Sequence, residues 1–154
     1  MKKALSITAV ILIAIAGFLL AGCNKEDLKD TSTIKYGTSF GMCVGNCSNE
    51  LTVTPNKLSI NRFSTTAKEP KVCTQSFNNE QWQQLRNKID IKKFEALNTV
   101  YGCPDCADGG AEWIEIQQGE TKHRVTFEYH NEPEAVKAYI SLLREHTASF
   151  KDCK

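Results

Sequence analysis

The sequence predicts an α+β domain, an antiparallel β-sheet covered on one face by helices and stapled by disulfides. Three observations point to it. Apolar residues alternate with polar ones in several short segments and recur at helical spacing in others, in the order strands, helix, hairpin, helix. One hairpin is specified down to its register by a glycine turn and a facing charge pair. Six cysteines follow residue 32, an even number that reads as a disulfide framework with 15 formal connectivities.

The elements follow in chain order. Ile34 to Phe40 forms a first strand, and Cys43-Val44-Gly45-Asn46-Cys47 then turns. Leu51–Thr54 and Leu58–Phe63 are strands flanking a turn at Pro55-Asn56. In the second of them Leu58, Ile60 and Arg62 share one face, which mixes apolar and charged character and leaves the register open. Asn78 caps a helix with Gln81 as its box partner, and Phe77 is placed to staple onto Trp82. Trp82, Leu85 and Ile89 continue that helix's apolar face, and Ile91, Phe94 and Leu97 mark a second helical piece after Asp90.

Glu112–Gln117 and Lys122–Tyr129 are the arms of the hairpin. With Gly119-Glu120 as a type II′ loop, Ile114 faces Val125, Trp113 faces Thr126 and Glu115 faces Arg124. A loop one residue earlier would set Glu112 against Val125 and lose the ion pair. A last helix begins at Asn131 as cap with Glu134 as box partner and Pro133 in the first turn, and buries Val136, Tyr139, Ile140 and Leu143.

The N-terminal segment is of a different kind. Lys2-Lys3 precede an apolar run that closes at Leu20-Ala21-Gly22-Cys23, the three-part layout of a secretory leader. The closing tetrapeptide resembles the lipobox of bacterial lipoproteins, which implies removal of residues 1–22 and acylation of Cys23. An uncleaved membrane span would be long enough at roughly 20 residues. It does not explain a cysteine where the apolar run stops, followed at once by Asn24-Lys25-Glu26-Asp27. More than one acyl chain on Cys23 makes a durable anchor, since one chain alone binds marginally.

Residues 23–32 then read as a lipidated flexible tether, and 33–154 as a single domain. Lipoproteins with Asp after the lipidated cysteine are often kept at the inner membrane; here that residue is Asn24. Lys25-Glu26-Asp27 resembles the acidic export tag of Bacteroidota lipoproteins. The resemblance implies a cell-envelope location, at the outer membrane, facing the periplasm or the surface. Tyr36-Gly37-Thr38-Ser39-Phe40-Gly41 and Cys103-Pro104-Asp105-Cys106-Ala107-Asp108-Gly109-Gly110 likewise resemble segments of small uncharacterised lipoproteins of the Bacteroidota. That likeness implies a location and brings no catalytic residues with it.

Composition narrows the function classes. The chain has 19 Lys+Arg and 18 Asp+Glu, and two of the lysines lie in the leader, so the remainder is close to neutral. Nucleic acid is not an expected partner. The expected partner is the lipid bilayer through Cys23, together with an unidentified envelope protein or ligand. With Cys23 acylated, Cys43, Cys47, Cys73, Cys103, Cys106 and Cys153 remain for disulfides, which suits export to an oxidising compartment.

Each candidate site has a plainer reading. Cys103-Pro104-Asp105-Cys106 has the spacing of a thiol–disulfide exchange motif, but Ala107-Asp108-Gly109-Gly110 and then a strand follow it where such a site opens a helix, and Asp105 opposes a thiolate. A structural disulfide is the expectation, with redox chemistry as the alternative. Cys43/Cys47 with Cys103/Cys106 would give a four-thiolate zinc site, which an oxidising compartment disfavours. Asp105, Asp108 and Glu112 match no calcium-loop spacing.

His123 and His130 read as strand-end residues, and His146 complements a helix C-terminus. Trp113 lies on the face opposite Ile114 and Ile116, where an exposed indole would anchor a partner unless that face is covered. No nucleophile with an adjacent base and no phosphate loop is present. The expectation is a non-enzymatic binding or structural domain with no cofactor and no resident metal, with a redox protein or a metal-binding module as alternatives.

Overall fold

The computed structural model describes residues 32–153. The leader, Cys23 and nearly all of the tether lie outside the described residues.

Seven strands form one sheet in the order β4-β3-β2-β1-β6-β7-β5. The strands are β1 (Thr33–Ser39), β2 (Asn46–Thr54), β3 (Lys57–Ser64), β4 (Lys71–Ser76), β5 (Val100–Tyr101), β6 (Ala111–Gln118) and β7 (Thr121–Glu128). The helices are α1 (Asn79–Arg86), α2 (Ile91–Glu95) and α3 (Lys137–Ala148). The fold is α+β as expected. Every neighbouring pair is antiparallel except β5 with β7, so the sheet is mixed rather than purely antiparallel.

β1 to β4 form a meander, and α1 and α2 then carry the chain from the β4 edge to the β5 edge. β1 sits at the centre because it pairs with β2 on one side and β6 on the other. Strand alternation puts Ile34, Tyr36, Leu51, Val53, Leu58, Ile60, Ile114, Ile116, Val125 and Phe127 on one face. Trp82 and Leu85 of α1, Phe94 of α2, and Tyr139, Ile140 and Leu143 of α3 cover that face and share its core. Among the described residues, no helix is long and apolar enough to cross a membrane.

The hairpin has the expected register: Ile114 pairs with Val125, Trp113 with Thr126 and Glu115 with Arg124. Gly119 has φ of 58° and Glu120 is not in the left-handed region, as a type II′ turn requires. The α1 capping box is complete, with Asn78 Oδ1 accepting from the Gln81 amide at 2.9 Å and Gln81 Oε1 accepting from the Asn78 amide at 2.9 Å. α2 is capped by Asp90.

Four local expectations need correction. α1 ends at Arg86, so Ile89 lies beyond it and packs on the core from a turn. Asn131 does not cap the last helix. Its side-chain amide donates to Glu128 at 2.8 Å, and residues 134–136 wind as a 3-10 turn before α3 begins at Lys137. β4 and β5 are strands where none was expected. β2 begins at Asn46, so Cys47 belongs to a strand rather than to the preceding turn.

Candidate functional site at the loop end of the sheet

Residues 40–45 and 102–110 are brought together by the sheet. β1 ends where β6 begins, with Ser39 paired to Ala111, so the segments after the first and before the second are neighbours. They lie at the opposite end of β1 from Ser32 and Thr33, where the chain enters the domain. Phe40 packs over Gly110, whose φ of 83° and lack of a side chain both suit the approach, because a Cβ there would overlap the ring. Phe40 also meets Tyr129 edge-on at 4.9 Å, and Tyr129 meets His130 at 4.1 Å.

The six cysteines form three disulfides, Cys43–Cys47, Cys73–Cys153 and Cys103–Cys106. Two of them close the loops at this end. The thiols of the alternative zinc site are thus joined in pairs, and among the described residues no group of three or more His, Cys, Asp or Glu is arranged to hold a metal ion. The two loops touch where the Gly41 amide donates to Asp105 Oδ1 at 3.2 Å.

Within the second loop the Asp105 amide donates to the Gly110 carbonyl at 3.0 Å, and the Cys103 amide donates to Glu128 Oε1 at 2.8 Å. That bond, with a second from Asn131, holds the Glu128 carboxyl below the usual range. Asp105, Ala107 and Asp108 all have φ between 50° and 61°, left-handed backbone that non-glycine residues rarely adopt. A recess of about 260 Å³ lies alongside, lined by Cys103, Cys106, Gly109, Gly110, Glu128 and Tyr129. On the first loop Met42 is 80% and Val44 90% exposed, the two most exposed large apolar residues described.

A buried ionic group underlies this end. Glu112, with no solvent exposure, accepts from the Tyr36 hydroxyl, from Arg144 Nε at 2.8 Å and Nη2 at 2.7 Å, and from the His130 amide at 3.1 Å. Arg144 also donates to Glu132 at 2.6 and 3.2 Å. Burial first, and then the bond to Glu112, push the Tyr36 hydroxyl well above its usual range. Arg144 holds Glu132 below the usual carboxyl range. The Glu112 bond to His130 fixes a residue whose φ is 60°, so the buried carboxylate shapes the Tyr129-His130 turn on the surface. Glu112 is therefore a core anchor and not part of a calcium cluster with Asp105 and Asp108.

Sequence reasoning missed this group although the signal was there. Glu112 shares strand parity with Ile114 and Ile116, and Arg144 lies one turn beyond Ile140 on the buried face of α3. Charges of opposite sign at two core-facing positions call for each other.

The remaining candidates are dispersed. Trp113 is half-buried on the helix-free face, opposite Gly37 on β1, where a Cβ would overlap the indole. The Arg124 guanidinium lies 3.9 Å above the ring and reaches Glu115 at 2.8 Å. Gly37 and Arg124 thus cover part of the indole, which stays half-exposed. His123 packs on Phe94 and bonds the Leu97 carbonyl at 3.1 Å, and His146 packs on Phe77, where burial holds its imidazole below the usual range.

No protein-family model matches the chain, and none of the curated proteins is similar enough to count as a relative.

Proposed function

We propose that the protein is a lipid-anchored domain of the bacterial cell envelope, tethered through acylated Cys23, that binds a protein partner through its loop end and catalyses no reaction. One observation carries the binding reading. Met42 and Val44 stand almost fully exposed on a loop that a disulfide and the Asp105 contact hold in shape. Exposed apolar side chains on an ordered loop lose little freedom when a partner's apolar pocket takes them up. The anchor reading rests on Leu20-Ala21-Gly22-Cys23.

The test joins both parts. A photo-crosslinking residue at Met42 or Val44 is expected to give a discrete adduct in intact cells, and one at Ser59 on the helix-free face is not. Cys23→Ser should release the protein from the membrane fraction and abolish its acyl mass. Equal labelling at all three positions would contradict the binding surface. An unacylated Cys23 in the membrane fraction would contradict the anchor.

A further inference from the structure

The three disulfides differ sharply in access. Cys153 is buried and Cys73 packs against the core beside it. Cys47 is buried, with Cys43 partly covered. Cys103 and Cys106 are both exposed and neither belongs to the core. A thiolate must reach a sulfur to attack it, so access orders the three bonds.

The loop around the third bond is also held in a form it would not choose. Asp105 lies inside the Cys103–Cys106 ring with φ of 61°, and Ala107 and Asp108 follow with φ of 50° and 60°. Aspartate visits that region more readily than most residues, whereas alanine rarely holds it unconstrained, so Ala107 carries most of the strain. Asp105 is also the residue that accepts the Gly41 amide, so the ring and the Met42–Val44 loop are joined by one hydrogen bond.

We propose that Cys103–Cys106 is a reductant-accessible latch, a thiol–disulfide exchange site whose substrate is an external dithiol and whose opening frees the Gly41–Gly45 loop. One thiolate of the dithiol attacks a sulfur of the bridge, the S–S bond breaks, and the other cysteine leaves as a thiolate that takes a proton from water. The second thiolate of the reductant then attacks its own sulfur in the mixed disulfide and expels the remaining cysteine, which is protonated in turn. Two electrons pass to the protein, and the reductant departs as a disulfide.

Asp105 lies between the two cysteines and Glu128 accepts from the Cys103 amide, so negative charge adjoins the site and disfavours a cysteine thiolate. The pair thus lacks the activated thiolate of an exchange catalyst and is opened once per reduction event, as a switch is. The inference does not rest on the acylation of Cys23.

The experiment uses the protein with all three bridges formed. Dithiothreitol is titrated in, free thiols are trapped with iodoacetamide and assigned by peptide mapping, and amide exchange is followed by mass spectrometry. Cys103 and Cys106 are expected to be trapped roughly tenfold faster than the other four, the ordering that exposure sets. Exchange at residues 41–45 should rise in the same step, while the β1, β2 and β6 amides stay protected. Asp105→Ala should raise exchange at 41–45 in the oxidised protein and remove any further rise on reduction. Opening of Cys43–Cys47 or Cys73–Cys153 first, or loss of sheet protection together with the first thiols, would overturn the site. Unchanged exchange at 41–45 on reduction or in Asp105→Ala would overturn the coupling.

Discussion

Glu112, Arg144 and Tyr36 place a charge pair where the strand pattern asks for apolar contact. Removing one member of such a group leaves the other buried and unpaired, the costly half of the exchange. Glu112→Ala is therefore expected to lower stability by about 3 kcal/mol in urea unfolding, with the spread set by how far Glu132 retains Arg144. A loss below about 0.5 kcal/mol, the range of ordinary surface substitutions, would mean that Arg144 is fully re-solvated. Tyr139 makes the opposite case. Its hydroxyl is buried without a hydrogen-bond partner among the described residues, so Tyr139→Phe should be neutral or slightly stabilising in the same assay.

Two residue-scale pH effects share a direction. Burial raises the Glu115 carboxyl, but Arg124 and Lys122 outweigh it and hold it below the usual range, as Arg144 does for Glu132. A carboxyl lowered on folding contributes stability that is complete above its unfolded value and is lost as pH falls through the folded one. Stability should thus fall on acidification below about pH 4.5, the ordinary glutamate value. His146, lowered chiefly by burial, adds a loss that begins nearer pH 6.5. Acid titration followed by circular dichroism should show a shallow decline and then a steep one. Arg124→Gln should flatten the steep part.

At the scale of elements, legibility depended on whether local chemistry had competitors. Asn78 and Gln81 formed their box because nothing nearby claims either side chain, and Asn78→Ala should cost about 1 kcal/mol in the same unfolding assay. Asn131 and Glu134 have the same spacing, yet Asn131 is taken by Glu128 and Glu132 by Arg144, and the turn winds as 3-10 instead. The β6–β7 hairpin was readable to its register because glycine, alternation and a cross-strand ion pair agreed.

β4 was not readable. Lys71-Val72-Cys73-Thr74-Gln75-Ser76 has almost no alternation, since an edge strand buries little and is held by backbone pairing to β3. Gly37 is the counterpart on the centre strand. It reads as a weak strand residue but serves to seat Trp113, and Gly37→Ala should cost about 1–3 kcal/mol by forcing the indole aside. An unshifted unfolding midpoint in that variant would show that the ring moves freely.

For the whole molecule, the cysteine count foretold a stapled domain, and the structure selects one of the 15 connectivities. Spacing alone does not choose between them, because Cys73–Cys153 joins residues 80 apart through the fold of the sheet. That bridge closes the longest loop and should matter most for stability, at about 4 kcal/mol for the double serine variant against far less for Cys103–Cys106. The loop end was only half legible. Its cysteines were evident, but the contact of Gly41 with Asp105 depends on β1 and β6 being neighbours, which no local pattern states.

The anchored, disulfide-stapled domain is tested most directly by intact mass and non-reducing peptide mapping of the protein purified from its native membranes. The expected result is a chain beginning at Cys23 with acyl chains on it and bridges Cys43–Cys47, Cys73–Cys153 and Cys103–Cys106. A chain that retains its leader with Cys23 unmodified would contradict the anchor, and free or zinc-bound thiols at Cys103 and Cys106 would contradict the stapled loop end.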